Sequence, residues 1–535
     1  MKNFNPELLG LRVAIVYPGP ASEGLSSLAV HGLARLLESH PRAGWDLVFA
    51  HPGQGTPRSH LRGWSLSQFD LLAVSLSFEE QLALLPWLLK KSGIPSRFRM
   101  RDEHHPFVLA GGVAMRLNPS PVLPFIDALV CGDAEETFSE LVDVLADSAG
   151  APRSQTLAEL AEIDGLGVQP FAVELSARFH QPTQPVRQGA GLGGGTFAGM
   201  HLVETGRGCP VGCRFCALSF SRRPPLFFSP EQVLEAAGEG LQAGKRIGLV
   251  GASLGRHPQL LEMVEALDEV GADLSPASLH PTVLCTEAGQ ALLRRMEKAG
   301  QRTVTLAPEA GSERLRRAIN KPCSDEELEE AVRRLAEAGC VHLKLYLMYG
   351  LPGEEASDLE ALVGQVSACR EALLAVHRGR GGTGRLSVSL NPFVPKPHTP
   401  LGGEAMLSLG ELKKCRAHVT GRLAKLGGVD VSGFSPRQAR LQALVDRAGE
   451  DMADLLEAAD GRWPPSGALL RKFLPQAEAM LGADFAPAEQ SGWRRVNLGI
   501  DPELLVRERL RMDRGQLTAP CESTRCQVCG ACSGL

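Results

Sequence analysis

The stretch Glu204-Thr205-Gly206-Arg207-Gly208-Cys209-Pro210-Val211-Gly212-Cys213-Arg214-Phe215-Cys216 spaces three cysteines as C-x3-C-x2-C. Three thiolates hold three irons of a [4Fe–4S] cluster and leave the fourth iron open to a small molecule. Gly206, Gly208 and Gly212 free the backbone to curl, so that the sulfurs converge on one point. Phe215 offers a flat apolar face beside the open iron. A zinc site calls for a fourth Cys or His close by, and the nearest, His201, lies upstream of the loop.

Working outward, 535 residues are too many for one ordinary core, and two to four domains are expected. A net charge of -5 exerts no global pull toward nucleic acid or anionic membrane. No apolar run approaches the roughly 18 residues of a membrane span, and residues 1–8 lack a signal-peptide core. A cytoplasmic location is therefore expected, without a membrane partner. There the 13 cysteines are reduced. Seven of them fall in two tight clusters, which favours metal ligation over disulfides.

Ahead of the cysteine loop, apolar runs predict strands at 11–17, 46–49, 71–76, 107–110 and 128–131, with helices at 24–38 and 79–89 between them. Apolar strands separated by helices imply a parallel sheet covered on both faces. Such sheets take ligands at the carboxyl ends of their strands. The loops 18–24, Gly111-Gly112 and Gly132-Asp133 fall there. A Gly- and Gln-rich stretch at 181–195 reads as a linker. After it, strands are expected at 201–204, 247–250, 303–306, 343–348 and 386–390, with a weaker one at 273–279. Helices open at Ser229-Pro230, an N-cap with Pro at the first helical position, and at the capping box Ser324 to Glu327. Six β/α units then make a partial TIM-like barrel whose chemistry sits at the strands' carboxyl ends. Beyond residue 400 the pattern turns helical. The tail carries Cys521, Cys526, Cys529 and Cys532 as C-x4-C-x2-C-x2-C.

The cysteine loop, with the barrel pattern behind it, resembles the signature of the radical S-adenosylmethionine (radical SAM) superfamily. The resemblance implies that SAM chelates the open iron and is cleaved to a 5′-deoxyadenosyl radical. It also implies a low-potential electron donor such as flavodoxin or ferredoxin. Gly251 and Ser253 follow the second strand, where the superfamily holds the SAM amino group; the acidic residue usual there is absent, so only backbone contact carries over. Glu309, in Pro308-Glu309-Ala310-Gly311-Ser312, is placed to accept hydrogen bonds from the ribose hydroxyls. Gly350, in Tyr349-Gly350-Leu351-Pro352-Gly353-Glu354, belongs to backbone that packs on adenine. The run from Thr305 to Lys321, Asn391 to Pro400, and Val108-Leu109-Ala110-Gly111-Gly112 resemble a subgroup with a B12-binding-type domain before the barrel and a Cys-rich tail.

The fold class expected is therefore α/β: a doubly wound, Rossmann-like, B12-binding-type domain at 1–180, a partial (β/α)6 radical SAM barrel at 196–400, a helical region at 401–510 and a metal-binding tail at 511–535. Cobalamin at Gly111, Gly112 and Gly132 is one expectation for the first domain. The Asp-x-His-x-x-Gly run of histidine-ligated cobalamin is missing from 18–24, and a scaffold role is the alternative. The tail thiolates suit tetrahedral zinc or a second, fully ligated [4Fe–4S] cluster; a second cluster is preferred, since the protein already receives one. Three functions stay open: carbon modification, including cobalamin-dependent methyl transfer, on an unidentified small molecule, peptide or RNA; RNA-base modification akin to the methylthiotransferases; and a non-catalytic iron–sulfur or RNA-binding scaffold, against which the intact triad argues.

Overall fold

The computed structural model describes residues 10–171, 174–189, 192–276, 278–379, 384–484, 492–521, 526 and 528–532. The stretch 1–8, residues 190 and 191 of the expected linker, and 522–525 and 527 of the tail lie outside them. Two compact units divide the chain: residues 1–198, 444–480 and 489–499 form one, and 199–443, 481–488 and 500–535 the other. No helix among the described residues is long and apolar enough to cross a membrane.

In the first unit β1 (Leu11–Pro18), β2 (Ala43–Ala50), β3 (Leu71–Ser75), β4 (Phe107–Gly111) and β5 (Ala128–Val130) pair in parallel in the order β2-β1-β3-β4-β5. The short β6 (Leu166–Val168) adds antiparallel at the edge. Val13, Ala14, Ile15 and Val16 are all fully buried, as a strand covered on both faces requires. One face packs against the stripes of Leu28–Ser39 (Val30, Ala34, Leu37) and Glu135–Asp147 (Phe138, Leu141, Leu145). The strand order reverses between β1 and β3, which makes their carboxyl ends the switch point of a doubly wound sheet.

The helical stretch expected at 401–510 does not stay together. Residues 444–480 belong to this first unit. Asn118 Nδ2 donates to the carbonyls of Val445 and Ala448 at 2.8 Å each, and Arg97 pairs with Asp454 and Glu457 at 2.6 and 2.8 Å. Contacts more than 300 residues apart decide that membership, and local composition carries no trace of them. Likewise β7 (Leu175–Ser176) pairs with Val496–Asn497.

The second unit begins with β8 (Met200–Glu204). Next, β9 (Gly206–Arg207) and β10 (Leu226–Phe227) pair antiparallel and pinch the base of the cysteine loop. There follow β11 (Arg246–Val250), β12 (Leu274–Pro276), β13 (Thr303–Glu309), β14 (His342–Tyr349), β15 (Arg385–Pro392) and β16 (Val429–Ser432). β8, β11 and β12 pair in parallel, as do β13 to β16. A parallel bridge from Leu279 to Leu306 joins the two sheets, with Leu279 N–H donating to Thr305 O at 3.0 Å. Among the described residues the result is an open arc of seven parallel strands in chain order. The weak stretch at 273–279 supplies β12 and the bridge. β16 is a seventh strand that the sequence pattern does not announce: four residues, two of them valines, sit between helices and take their order from β15.

Local signals hold where their chemistry is complete. Ser229 accepts from Gln232 N–H with Pro230 opening the helix, and Ser324 caps Asp325–Glu337 by accepting from Glu327 N–H.

Candidate functional site

The cysteine loop leaves β8 and turns through two left-handed glycines, Gly208 at φ +72° and Gly212 at φ +76°. At Gly208 a Cβ would stand 2.6 Å from the Arg222 carbonyl oxygen, so only glycine fits. Cys209 and Cys213 are buried and Cys216 is half-buried. Cys216 N–H donates to Cys213 O at 3.0 Å. Burial pushes the Cys213 thiol up, the Lys321 ammonium pulls it down, and Cys216 and Cys209 push it up again. The Cys216 thiol is pushed up to about 11, by burial first and Cys209 next. Thiols ligate as thiolates, so metal binding here must release their protons, and Lys321 is the cation that favours the Cys213 and Cys216 thiolates.

Among the described residues no three His, Cys, Asp or Glu side chains stand grouped to hold a single metal ion. A cubane cluster spreads its thiolates wider than one ion does. The test of fit is therefore the donor chemistry, and three soft, neighbouring sulfurs meet it.

Glu309 ends β13 at φ +70°, a left-handed conformation that a glutamate seldom adopts. The register of β13 on β14 shifts just before it. That kink brings its carboxylate to Lys321, whose Nζ lies 2.8 Å from Oε1. Burial alone would lower the lysine, but Glu309, Cys213 and Cys216 outweigh it and hold Lys321 above its ordinary value. The cysteine loop, Glu309 and Lys321 thus form one electrostatic group. Lys321 closes the motif that begins at Thr305, yet sequence reading gave it no role; its only signal was its place after the Asn320 turn.

The other expected SAM positions fall around this group. A Cβ on Gly251 would stand 2.5 Å from Thr205 Oγ1, so the second loop lies close on the base of the first. Ser253 precedes the short turn Leu254–Arg256, and its side chain does not cap it. Gly350 has φ +77°, and its N–H donates to Glu354 Oε2 at 2.6 Å. Phe215 stands less free than expected: it is half-buried and packs with Met348 against an apolar cluster that includes Leu315, Ile319, Leu351 and Met512.

Behind the loop lies a clamp that sequence reading missed. Arg214, within the cysteine motif, is wholly buried and pairs with buried Glu508 at 3.1 Å. Its guanidinium also donates to Gln516 O at 2.7 Å and to the Ala318 carbonyl. Asn320, at φ +56°, donates to the carbonyls of Val211 and Gly212 and accepts from Thr518 N–H. Cys521 N–H donates to Pro210 O at 2.8 Å. The helix Pro502–Asp513 and the irregular run after it therefore strap the loop.

The tail sulfurs are near neighbours. Burial pushes the Cys521 thiol up, and Cys529, Cys532 and Cys526 add to it while Arg223 opposes. Cys529 packs with Phe220, Leu504 and Leu505.

The glycines expected to line a cobalamin site are occupied otherwise. A Cβ on Gly112 would stand 2.4 Å from Leu76 O, and one on Gly132 2.0 Å from Arg178 O. Gly111 O accepts from Leu76 N–H at 2.8 Å. Buried Gln81 spans the switch point, donating from Nε2 to Pro18 O at 3.0 Å. His31 is a satisfied core residue, with Nε2 at 3.0 Å from Leu25 O and Nδ1 accepting from Gly189 N–H.

Comparison with known families fits this geometry. Residues 203–366 match the model of the radical SAM superfamily, and residues 58–168 match that of the N-terminal region of radical SAM proteins. The chain belongs to the radical SAM superfamily. This radical SAM enzyme is 27% identical over 450 residues to an uncharacterized protein of Methanocaldococcus jannaschii, covering 83% of this chain and 90% of that one. It is 24% identical to the tRNA-2-methylthio-N(6)-dimethylallyladenosine synthase of Opitutus terrae, over 54% of this chain and 64% of that enzyme. Among solved structures, Streptococcus suis SuiB bound to S-adenosylmethionine aligns over 44% of this chain and 51% of its own, at 13% identity and a TM-score of 0.31.

Proposed function

We propose that Cys209, Cys213 and Cys216 hold a [4Fe–4S] cluster, and that the enzyme cleaves S-adenosylmethionine reductively to modify an unactivated carbon. The observation that carries this reading is the cysteine triad set against the Lys321–Glu309 pair. When bound, cluster and SAM together supply a 5′-deoxyadenosyl radical able to abstract hydrogen. The chain's own residues do the rest. Lys321 balances thiolate charge, and Glu309 is the acceptor for the ribose hydroxyls. The backbone at Gly251 and Gly350, with Ser253, lines the remainder of the SAM site. Arg214 and Asn320 keep the loop in one shape behind the cluster.

RNA-base modification is the more specific reading. The tRNA-modifying relative from Opitutus terrae supports it, although the chain spans only about two thirds of that enzyme's length. Cobalamin-dependent methyl transfer draws less support, because backbone already fills the space at Gly112 and Gly132. For the tail, Cys521, Cys526, Cys529 and Cys532 read as a second, fully ligated cluster docked on the first loop through the Cys521–Pro210 hydrogen bond; zinc is the alternative.

Anaerobic reconstitution with iron and sulfide tests both sites together. The reduced protein is expected to form 5′-deoxyadenosine from SAM, and Cys209→Ala, Cys213→Ala or Cys216→Ala to abolish it. The triple variant is expected to keep about four irons in the tail, with a spectrum indifferent to SAM. Normal 5′-deoxyadenosine yields from any single variant would sink the assignment. One zinc and no iron in the triple variant would make the tail structural.

A further inference from the structure

The inner face of β14 and β15 is polar and open, unlike the packed interior of a closed β/α barrel. Along β14, Leu343, Leu345, Leu347 and Tyr349 are fully buried. The alternate residues point the other way: Lys344 is exposed and Tyr346 is 42% exposed. In register, Lys344 lies beside Ser387 and Tyr346 beside Ser389, and Ser389 lies beside Ser432. Ser387 Oγ already meets His342 Nε2 at 2.7 Å and Ser389 Oγ accepts from Asn391 Nδ2 at 3.1 Å, so the groups this wall leaves for a ligand are the Lys344 ammonium and the Tyr346 ring.

The charges on this wall are unbalanced. Asp430, the carboxylate in register with Ser387, is taken by Arg385 at 2.7 Å. Glu309 is taken by Lys321. Among the described residues Lys344 has no ion-pair partner, so the wall presents one free positive charge. It is also continuous with the radical site. Met348, one inner-face step beyond Tyr346, packs in the same apolar cluster as Phe215 of the cysteine loop. A step of two residues is about 7 Å along a strand, so Tyr346 stands one step and Lys344 two steps from that contact.

We propose that this wall binds the substrate and that the substrate is a nucleotide, its base stacked on Tyr346 and its phosphate paired with Lys344. This rests on the reading that the second unit performs SAM-dependent carbon modification, and it names the substrate class for that site. An aromatic face beside an unpaired cation matches a planar base carrying an anion. Base–aromatic stacking tolerates any base, and a phosphate contact adds charge without sequence. An acidic peptide would use Lys344 but leave Tyr346 idle, so dependence on the ring separates the two.

The test uses the full-length, reconstituted protein. Binding of a fluorescein-labelled single-stranded RNA decamer is followed by anisotropy, and binding of the four nucleoside 5′-monophosphates by calorimetry. Tyr346→Leu is expected to weaken binding about ten-fold or more, and Tyr346→Phe to restore it. Lys344→Gln is expected to weaken it and to reduce the salt slope by about 0.7 for RNA, with Lys344→Arg close to wild type. The absorption spectrum of the cluster, unchanged in all four, serves as the folding control. Mononucleotides binding as tightly as the decamer would identify a free nucleotide; binding confined to the decamer would identify a base within RNA. Both support the site. Absence of nucleotide and RNA binding, or binding indifferent to both positions, or tighter binding of a polyglutamate peptide, would overturn it. Failure of the wild type to make 5′-deoxyadenosine would instead overturn the radical chemistry, and the binding arms would still judge the wall.

Discussion

Both units are built on parallel strands, and any such sheet leaves a crevice at its carboxyl ends. In the first unit the chain fills that crevice itself. Gln81 bridges to Pro18, Leu76 lies against Gly112, and Arg178 lies against Gly132. In the second unit the equivalent ends carry the thiol triad, a half-buried lysine and a strained glutamate, with an open polar wall running back along β14. Fold alone therefore does not place a ligand. Room, and polar groups left for an outside partner, distinguish a site from a scaffold.

The largest expected effect comes from breaking what holds the second crevice in shape. Arg214 and Glu508 are both buried, at 0% and 3% side-chain exposure. Glu508→Ala leaves a guanidinium in the core without its carboxylate, which costs about 3–5 kcal/mol. Urea unfolding of the full-length protein is expected to show that loss, and iron retention by the first loop to fall with it. Glu508→Gln, which keeps one acceptor oxygen for the Arg214 and Thr518 side but turns a donor toward Arg511, is expected to lose less. An unchanged midpoint and full iron content in Glu508→Ala would mean that the strap merely lies on the loop.

How much of this was legible follows from the range of the interactions. The cysteine loop and its glycines were readable because their chemistry lies within a dozen residues. Ser229 and Ser324 were readable for the same reason, since a cap is complete within four. The strands of both units showed as apolar runs because each is buried along its length. Lys321 was quoted yet unread: its partner is 12 residues away and meets it only because Glu309 adopts a left-handed turn. The Arg214–Glu508 clamp spans 294 residues, and an arginine between cysteines looks like a solvated charge until its partner is seen. The polar alternation of β14 was overlooked because its leucines already sufficed to predict a strand.

A middle-sized effect separates binding from stability in the open crevice. A hydrogen bond to a charged group is worth about 1.5–3 kcal/mol. Glu309→Gln, which also removes the charge facing Lys321, is expected to weaken SAM binding roughly ten- to a hundred-fold. The cluster's own spectrum should survive, because the thiolates are untouched. Equilibrium binding of SAM to the reconstituted protein measures this. Unchanged affinity would confine Glu309 to balancing Lys321.

The smallest effect tests the filled crevice, and its sign is opposite in kind. Gly132 sits at φ +138°, with the Arg178 carbonyl where a side chain would begin. Gly132→Ala must strain the backbone or push that carbonyl aside. Such strain costs about 1–3 kcal/mol, so the expected loss is in thermal stability, with SAM cleavage kept at temperatures where the variant stays folded. If Gly132 served a ligand instead, stability would change little, and the wild type would bind hydroxocobalamin with a spectral shift that Gly132→Ala abolishes. Wild-type protein titrated with hydroxocobalamin is expected to give no saturable shift. A saturable one would require the segment around Arg178 to leave Gly132, and the contrast between a filled and an open crevice would then fail at its strongest point.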